Sequence, residues 1–197
     1  MIYNVVGRIK MSEKIITGLS NHHVHVSDEV KDILFGKGYE LHVKRKLKQL
    51  GQYACEETVN VYIGENKISN VRLIGPTRKY TQVELLESDF VNCNLPIIYS
   101  DSGNLENTIP FKLEGPCGIY ESKNGAFVAH NHIHFSSEDL KRFNLNKGDM
   151  VSVKTKDGTI IKNVRVKSDE TCVLEFHMNK DEGILKNINT FDEVEIC

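Results

Sequence analysis

The sequence contains no tryptophan and no low-complexity segment. No apolar run approaches the roughly 20 residues that a membrane-spanning helix needs, so no membrane partner is expected. No C-x-x-C pair is present, and the five cysteines (55, 93, 117, 172 and 197) are an odd number. That argues against a disulfide framework and for reduced, mostly buried thiols in a cytoplasmic protein. Cys117, in a glycine-rich turn, reads as structural rather than reactive. No basic face is evident: 25 Lys and Arg stand against 27 Asp and Glu, a net charge of −2. Nucleic acid and anionic membranes are therefore not expected partners. Met1–Lys14 has charges scattered through it and does not read as a signal peptide.

What remains is a chain of 197 residues, 40% apolar and 26% charged, enough for one large or two small domains. Two stretches stand out: His23-Val24-His25-Val26-Ser27 and His132-Ile133-His134-Phe135-Ser136. In an extended strand, residues i and i+2 point to one face, so each H-x-H places two imidazoles side by side. Each Ser reads as a helix N-cap, with acidic residues in the first turn. Val30, Ile33 and Leu34 form the apolar face of the first helix, ended by Gly36 or Gly38. Leu140 and Phe143 do so in the second, where Ser136 and Asp139 approach a capping box.

The intervening segments read as strands. They are 15–19 leading into His23, 59–63, 68–74, 126–135, 150–154, 160–166 and 173–177, with an Asp157-Gly158 hairpin turn. The tail 191–196 alternates again. Residues 89–118 are loop-rich and read as inter-domain. Residues 1–14 carry Ile2, Val5, Val6 and Ile9 at helical spacing, as a docking helix or a targeting helix would. Lys44–Lys48 is a basic run, either a solvated face or an anion site.

These segments repeat in order. Val59-x-Val61 and Asn70-Val71-Arg72 answer Val151-x-Val153 and Asn163-Val164-Arg165, and Thr81-x-Val83-Glu84 answers Thr171-x-Val173 and the run to His177. The spacing between matched segments implies an insertion near 42–58 in the first half. A duplication gives two equivalent three-ligand groups: His23, His25 and Glu84, then His132, His134 and His177. Three protein ligands with an open position is the catalytic zinc arrangement. Glu84 also has a reading as general base. His42 and His130 read as surface histidines, and His22 as a supporting or exposed residue.

At these residues the chain resembles the PduL-type phosphate acyltransferases, or phosphate propanoyltransferases. The segments that carry the likeness are Ser20–Ser27, Leu34-Phe35-Gly36, Leu50–Ala54, Val71–Arg78, Thr81–Glu84, His132–His134 and His177 with Asp181-Glu182. The resemblance implies a mainly β fold with short helices: two similar β-barrel domains and a two-zinc site between them. Residues 1–14 would be an extension, 15–92 the first barrel and 93–197 the second. It implies exchange of coenzyme A and phosphate on a short acyl group, acetyl or propanoyl, with two Zn²⁺ per chain and Arg78 on the phosphate. The implied partners are a coenzyme A thioester and phosphate. A homodimer, and microcompartment shell or cargo contacts in a microcompartment lumen, are left open. A dinuclear zinc hydrolase and a zinc-stabilised non-catalytic module are the alternatives. The sequence departs from the family pattern where Arg precedes each H-x-H pair: His22 and Asn131 stand there. It departs again at Met178–Leu185. Lys180 or Lys44–Lys48 would be the replacements for lost positive charge, and Asp181 and Glu182 would support ligands or cap a helix.

Overall fold

Short alternating segments separated by turn residues fold as short strands, and the chain is mainly β. The computed structural model describes residues 13–197; the helix expected over 1–14 falls almost entirely outside them. In chain order the elements are β1 (Lys14–Ser20), β2 (His23–His25), α1 (Asp28–Phe35), β3 (Val43–Lys46), β4 (Tyr53–Ile63), β5 (Asn66–Gly75) and β6 (Gln82–Glu84). Then come α2 (Glu87–Asn92), β7 (Tyr99–Ser100), β8 (Ile109–Glu114), β9 (Ile119–Ala129), β10 (His132–His134) and α3 (Ser137–Phe143). The last are β11 (Met150–Lys154), β12 (Ile160–Lys167), β13 (Glu175–Asn179), α4 (Lys180–Leu185) and β14 (Glu193–Ile196). None of the described helices is long and apolar enough to cross a membrane.

The strands close into two barrels. One runs β1-β13-β10-β12-β11-β14. The other runs β4-β5-β2-β6-β9-β8 and closes because β8 pairs with both β4 and β9; β3 and β7 extend it at β4 and β9. Each barrel has its own core. Val24, Leu73 and Val83 lie in the first, and Ile133, Val166 and Phe176 in the second. Val24 and Ile133 are fully buried and point inward. With a side-chain period of two, the flanking histidines must point out of each barrel. His25, Glu84 and His132 are nonetheless buried, because the two outward faces meet.

The duplication extends to backbone detail. β2 pairs parallel to β5 and antiparallel to β6, with His23 opposite Arg72 and Glu84. β10 pairs parallel to β12 and antiparallel to β13, with His132 opposite Arg165 and His177. Asn70 and Asn163 both take the left-handed conformation, at φ 59°. Ladder irregularities fall at Val59/Val61 and at Val151/Val153. Ser27 Oγ accepts from Val30 N in α1, and Ser136 forms a full capping box with Asp139 in α3.

The sheet pairings correct the expected division at residues 92/93. β1 leads into the first H-x-H strand yet pairs with β13 and β14 of the second barrel. β9 leads into the second H-x-H strand yet pairs with β6 and β8 of the first. Each barrel thus takes the strand that precedes the other's histidines. A linear reading assigns such a strand to the motif it runs into, which is why the boundary was misplaced. The stretch 89–118 is not an inter-domain region, since β7 and β8 within it belong to the first barrel. The strand expected over 126–135 is two strands, β9 and β10, broken at His130-Asn131.

Candidate functional site

The six expected ligands come together as two groups. His23, His25 and Glu84 form one, and His132, His134 and His177 the other, with the donor atoms of each group within 4.8 Å of one another. Glu84, His132 and His177 line one cleft together with Ser20, Asn21 and His130.

The histidine tautomers are set from behind. His23 Nδ1 lies 2.8 Å from the Asn21 carbonyl, His25 Nδ1 3.1 Å from that of Ile74, and His132 Nδ1 2.7 Å from that of His130. A carbonyl only accepts, so each Nδ1 carries the hydrogen and each Nε2 keeps a free lone pair. His134 Nδ1 sits 3.3 Å from Cys172 Sγ; burial raises that thiol to about 11, so it stays protonated. Burial also holds three of the imidazoles neutral. His25 and His132 are pushed well below their ordinary range, mainly by desolvation, and His134 is pushed down to about 2.

The donor set fits a divalent metal of the zinc type. His132 Nε2 and His134 Nε2 lie 3.2 Å apart. At that separation the two nitrogens either share one hydrogen or are both free to bind a common cation. Two nitrogens on a tetrahedral zinc, each about 2.0–2.1 Å from it, are themselves about 3.3 Å apart. In the other group His23 Nε2 lies 3.5 Å from Glu84 Oε2. Burial works to raise the Glu84 pKa, but His23, Lys167 and Arg78 outweigh it and hold the group as carboxylate.

The third member of each group is steadied by the residue two positions before it. Gln82 Nε2 donates to Glu84 Oε1 at 2.7 Å. Glu175 Oε2 lies 2.7 Å from His177 Nε2 and accepts its hydrogen. The polarity is matched: a carboxylate receives an amide donor, and an imidazole receives a carboxylate acceptor. The sequence reading missed both supports, although the period-two spacing on the ligand strands was a usable signal.

Arg78 lies beside the first group. Its backbone N–H donates to the Val26 carbonyl, and its Nη1 donates to Ser102 Oγ at 3.0 Å and Tyr80 Oη at 3.4 Å. Lys167 was also missed. It is opposite His134 in the parallel β10–β12 register and so shares the histidine face. Its charge acts on Glu84, His25, His132 and His134. Burial lowers its pKa, opposed by Glu84 and Asp101. The expected strand ended at Val166, one residue short of it.

The replacements for lost charge expected elsewhere do not reach the cleft. Lys48 Nζ donates to the Leu174 carbonyl, Lys44–Lys46 lie exposed on β3, and Lys180 is exposed. The residues just before the two H-x-H pairs, His22 and Asn131, both face carboxylates. His22 Nδ1 is 3.2 Å from Asp89 Oδ2, and Asn131 Nδ2 donates to Glu182 Oε2 at 2.7 Å. Each ties the start of an H-x-H strand to a following short helix, α2 or α4. Asp181 accepts from Ser88 N at the start of α2.

His130 is not the surface residue expected: it is half-buried, with Nδ1 3.3 Å from Asp101 Oδ1. His42 is exposed, but its Nδ1 bonds the buried Glu57 at 2.7 Å, and Tyr39 Oη donates to the same carboxylate. The Glu57 bond raises the His42 pKa above its ordinary 6.5. Burial works to raise Glu57, yet the His42 and Tyr39 bonds prevail and lower it from 4.5. A raised histidine stabilises below its unfolded pKa and stops as pH rises through the folded one. A lowered carboxylate stabilises above its unfolded pKa and stops as pH falls through the folded one. The melting-temperature loss in His42→Ala is therefore expected to be larger at about pH 5.5 than at about pH 9. Thermal melts of both proteins at the two pH values check this; an equal loss contradicts it.

A family model described as phosphate propanoyltransferase matches residues 16–189. The chain belongs to the phosphate propanoyltransferase family. A Thermotoga maritima protein named phosphate propanoyltransferase is 40% identical over 185 residues, covering 92% of this chain and 88% of its own. A Lachnoclostridium phytofermentans protein of the same name is 36% identical over 190 residues, covering 93% and 88%. A third, from Planctopirus limnophila, is 32% identical over 186 residues, covering 92% and 76%. Membership in this phosphotransacylase family spans both barrels, so both donor groups lie within the matched region.

Proposed function

We propose that this chain is a zinc-dependent phosphate acyltransferase. It interconverts a short acyl-CoA, acetyl or propanoyl, plus phosphate with the acyl phosphate plus coenzyme A. The observation that carries the reading is the meeting of two donor groups, one of three histidines and one completed by the Glu84 carboxylate, beside Arg78 and Lys167. Family membership supports the reaction class.

In the forward direction a phosphate oxygen attacks the thioester carbonyl carbon. The carbon–sulfur bond breaks, and the thiolate leaves to be protonated as free thiol. Arg78 presents a planar guanidinium that suits two-point binding of phosphate oxygens. Ser102 holds Nη1 of that fork, and Lys167 adds a second positive charge on the histidine face of β12. His23, His25 and Glu84 would hold one zinc and His132, His134 and His177 the other. Bound there, zinc supplies Lewis acidity toward oxygen and a soft partner for sulfur. No covalent acyl-enzyme is required: Cys172 lies buried behind His134 as a thiol.

The test is thiol release from propanoyl-CoA with and without phosphate. Release that needs phosphate is expected. Release at the same rate without phosphate would mark a dinuclear hydrolase, and no release a non-catalytic module.

A further inference from the structure

We infer that Gln49 is a positioning residue for His177, acting through Glu175 across the contact between the two barrels. The inference rests on the reading of His132, His134 and His177 as a metal group. Glu175 Oε2 takes the hydrogen of His177 Nε2, which leaves His177 Nδ1 as the free donor. The same carboxylate oxygen accepts from Gln49 Nε2 at 3.1 Å. Gln49 comes from the other barrel, in the turn between β3 and β4.

Its amide is held in one orientation. Gln49 Oε1 accepts from Val173 N at 2.8 Å, so Nε2 must face the Val173 carbonyl, 3.0 Å away, and Glu175. Both amide hydrogens are then used. Gln49 is buried at 4% exposure and Glu175 at 6%, so neither has water to replace a lost partner. A Cβ on Gly18 would meet Glu175 Oε1 and His177 Nε2, each at 3.2 Å, so β1 closes the other side of the pair. Burial works to raise the Glu175 pKa, and the His177 and Gln49 bonds hold it down.

The two halves differ here in a telling way. Gln82, the counterpart of Glu175, is held by its own barrel: it donates to Ser102 Oγ and accepts from Gly103 N. Glu175 is held by residue 49, inside the stretch 42–58 that breaks the repeat. That insertion also places Leu50 N on the Thr171 carbonyl and Lys48 Nζ on the Leu174 carbonyl. It joins the barrels and orients a ligand in the same contact. Removing a partner behind a metal-bound histidine typically weakens metal affinity by about 10–100-fold.

The experiment measures the affinities of the two zincs by competition with a chromogenic chelator, alongside thermal melts. The proteins are wild type, Gln49→Ala, Gln49→Met, Glu175→Gln and Lys48→Ala. Gln49→Met keeps the length of the side chain and serves if the alanine variant does not fold. Each folded Gln49 variant is expected to lose about 10-fold or more in affinity for one zinc and to keep the other within about twofold. Gln49→Ala combined with Glu175→Gln should bind no more weakly than Glu175→Gln alone, because the two act in series. Lys48→Ala cuts another bond of the same turn and should lower the melting temperature without changing zinc affinity. Wild-type affinity for both zincs in a folded Gln49 variant overturns the inference, as does equal weakening of both. Fewer than two zincs on wild type would instead remove the metal reading on which it rests.

Discussion

His23→Ala and His132→Ala are each expected to abolish phosphate-dependent turnover. The two residues occupy equivalent places in the duplicated barrels, yet each removes a donor from a different group. Zinc content should fall from about two to about one per chain in each variant, since three-ligand sites tolerate no loss of a ligand. The folds should persist, because each barrel keeps its own buried core. The check is metal analysis and turnover on the same preparations. If one variant keeps most of its activity, the metal of that half is structural or absent.

The second large effect concerns Arg78. Its guanidinium is held by Ser102 and Tyr80, so it is fixed before phosphate arrives. Losing one preorganised donor to developing oxyanion charge typically costs roughly 3–4 kcal/mol, or about 10²–10³ in rate. Arg78→Ala should lower kcat/KM by about that factor with zinc content unchanged. Arg78→Lys should recover only part, because an ammonium lacks the planar two-point contact. Thiol release measured across phosphate concentrations checks both variants. An Arg78→Ala enzyme within about threefold of wild type would assign the phosphate to another group, with Lys167 the first candidate.

The histidine pairs were legible in the sequence because period-two spacing is a local signal. Val24 and Ile133 are buried in their own barrels, so the flanking histidines had to face outward. The repeat was legible for the same reason: Asn70 and Asn163 hold matching left-handed positions within β5 and β12, and helix caps at Ser27 and Ser136 act over three residues. The division into barrels was not legible. Exchange of β1 and β9 is a tertiary choice that leaves no trace in contiguous pattern. The short helix α2 was read as loop because six residues carry little periodicity. Gln49 sits 124 positions from Val173, and nothing in either segment announces the other. Gln82 and Glu175 were within reach, because each shares a strand face with a candidate ligand, whereas Lys167 faces His134 only across the β10–β12 ladder.

The most direct test of acyl transfer to phosphate is to follow propanoyl-CoA and inorganic phosphate by phosphorus NMR while thiol is assayed in parallel. Propanoyl phosphate should appear in step with free coenzyme A, one for one, and addition of coenzyme A to isolated propanoyl phosphate should reverse the reaction. Free thiol accumulating with propanoate and unconsumed phosphate, and no acyl phosphate at any time, would contradict the account.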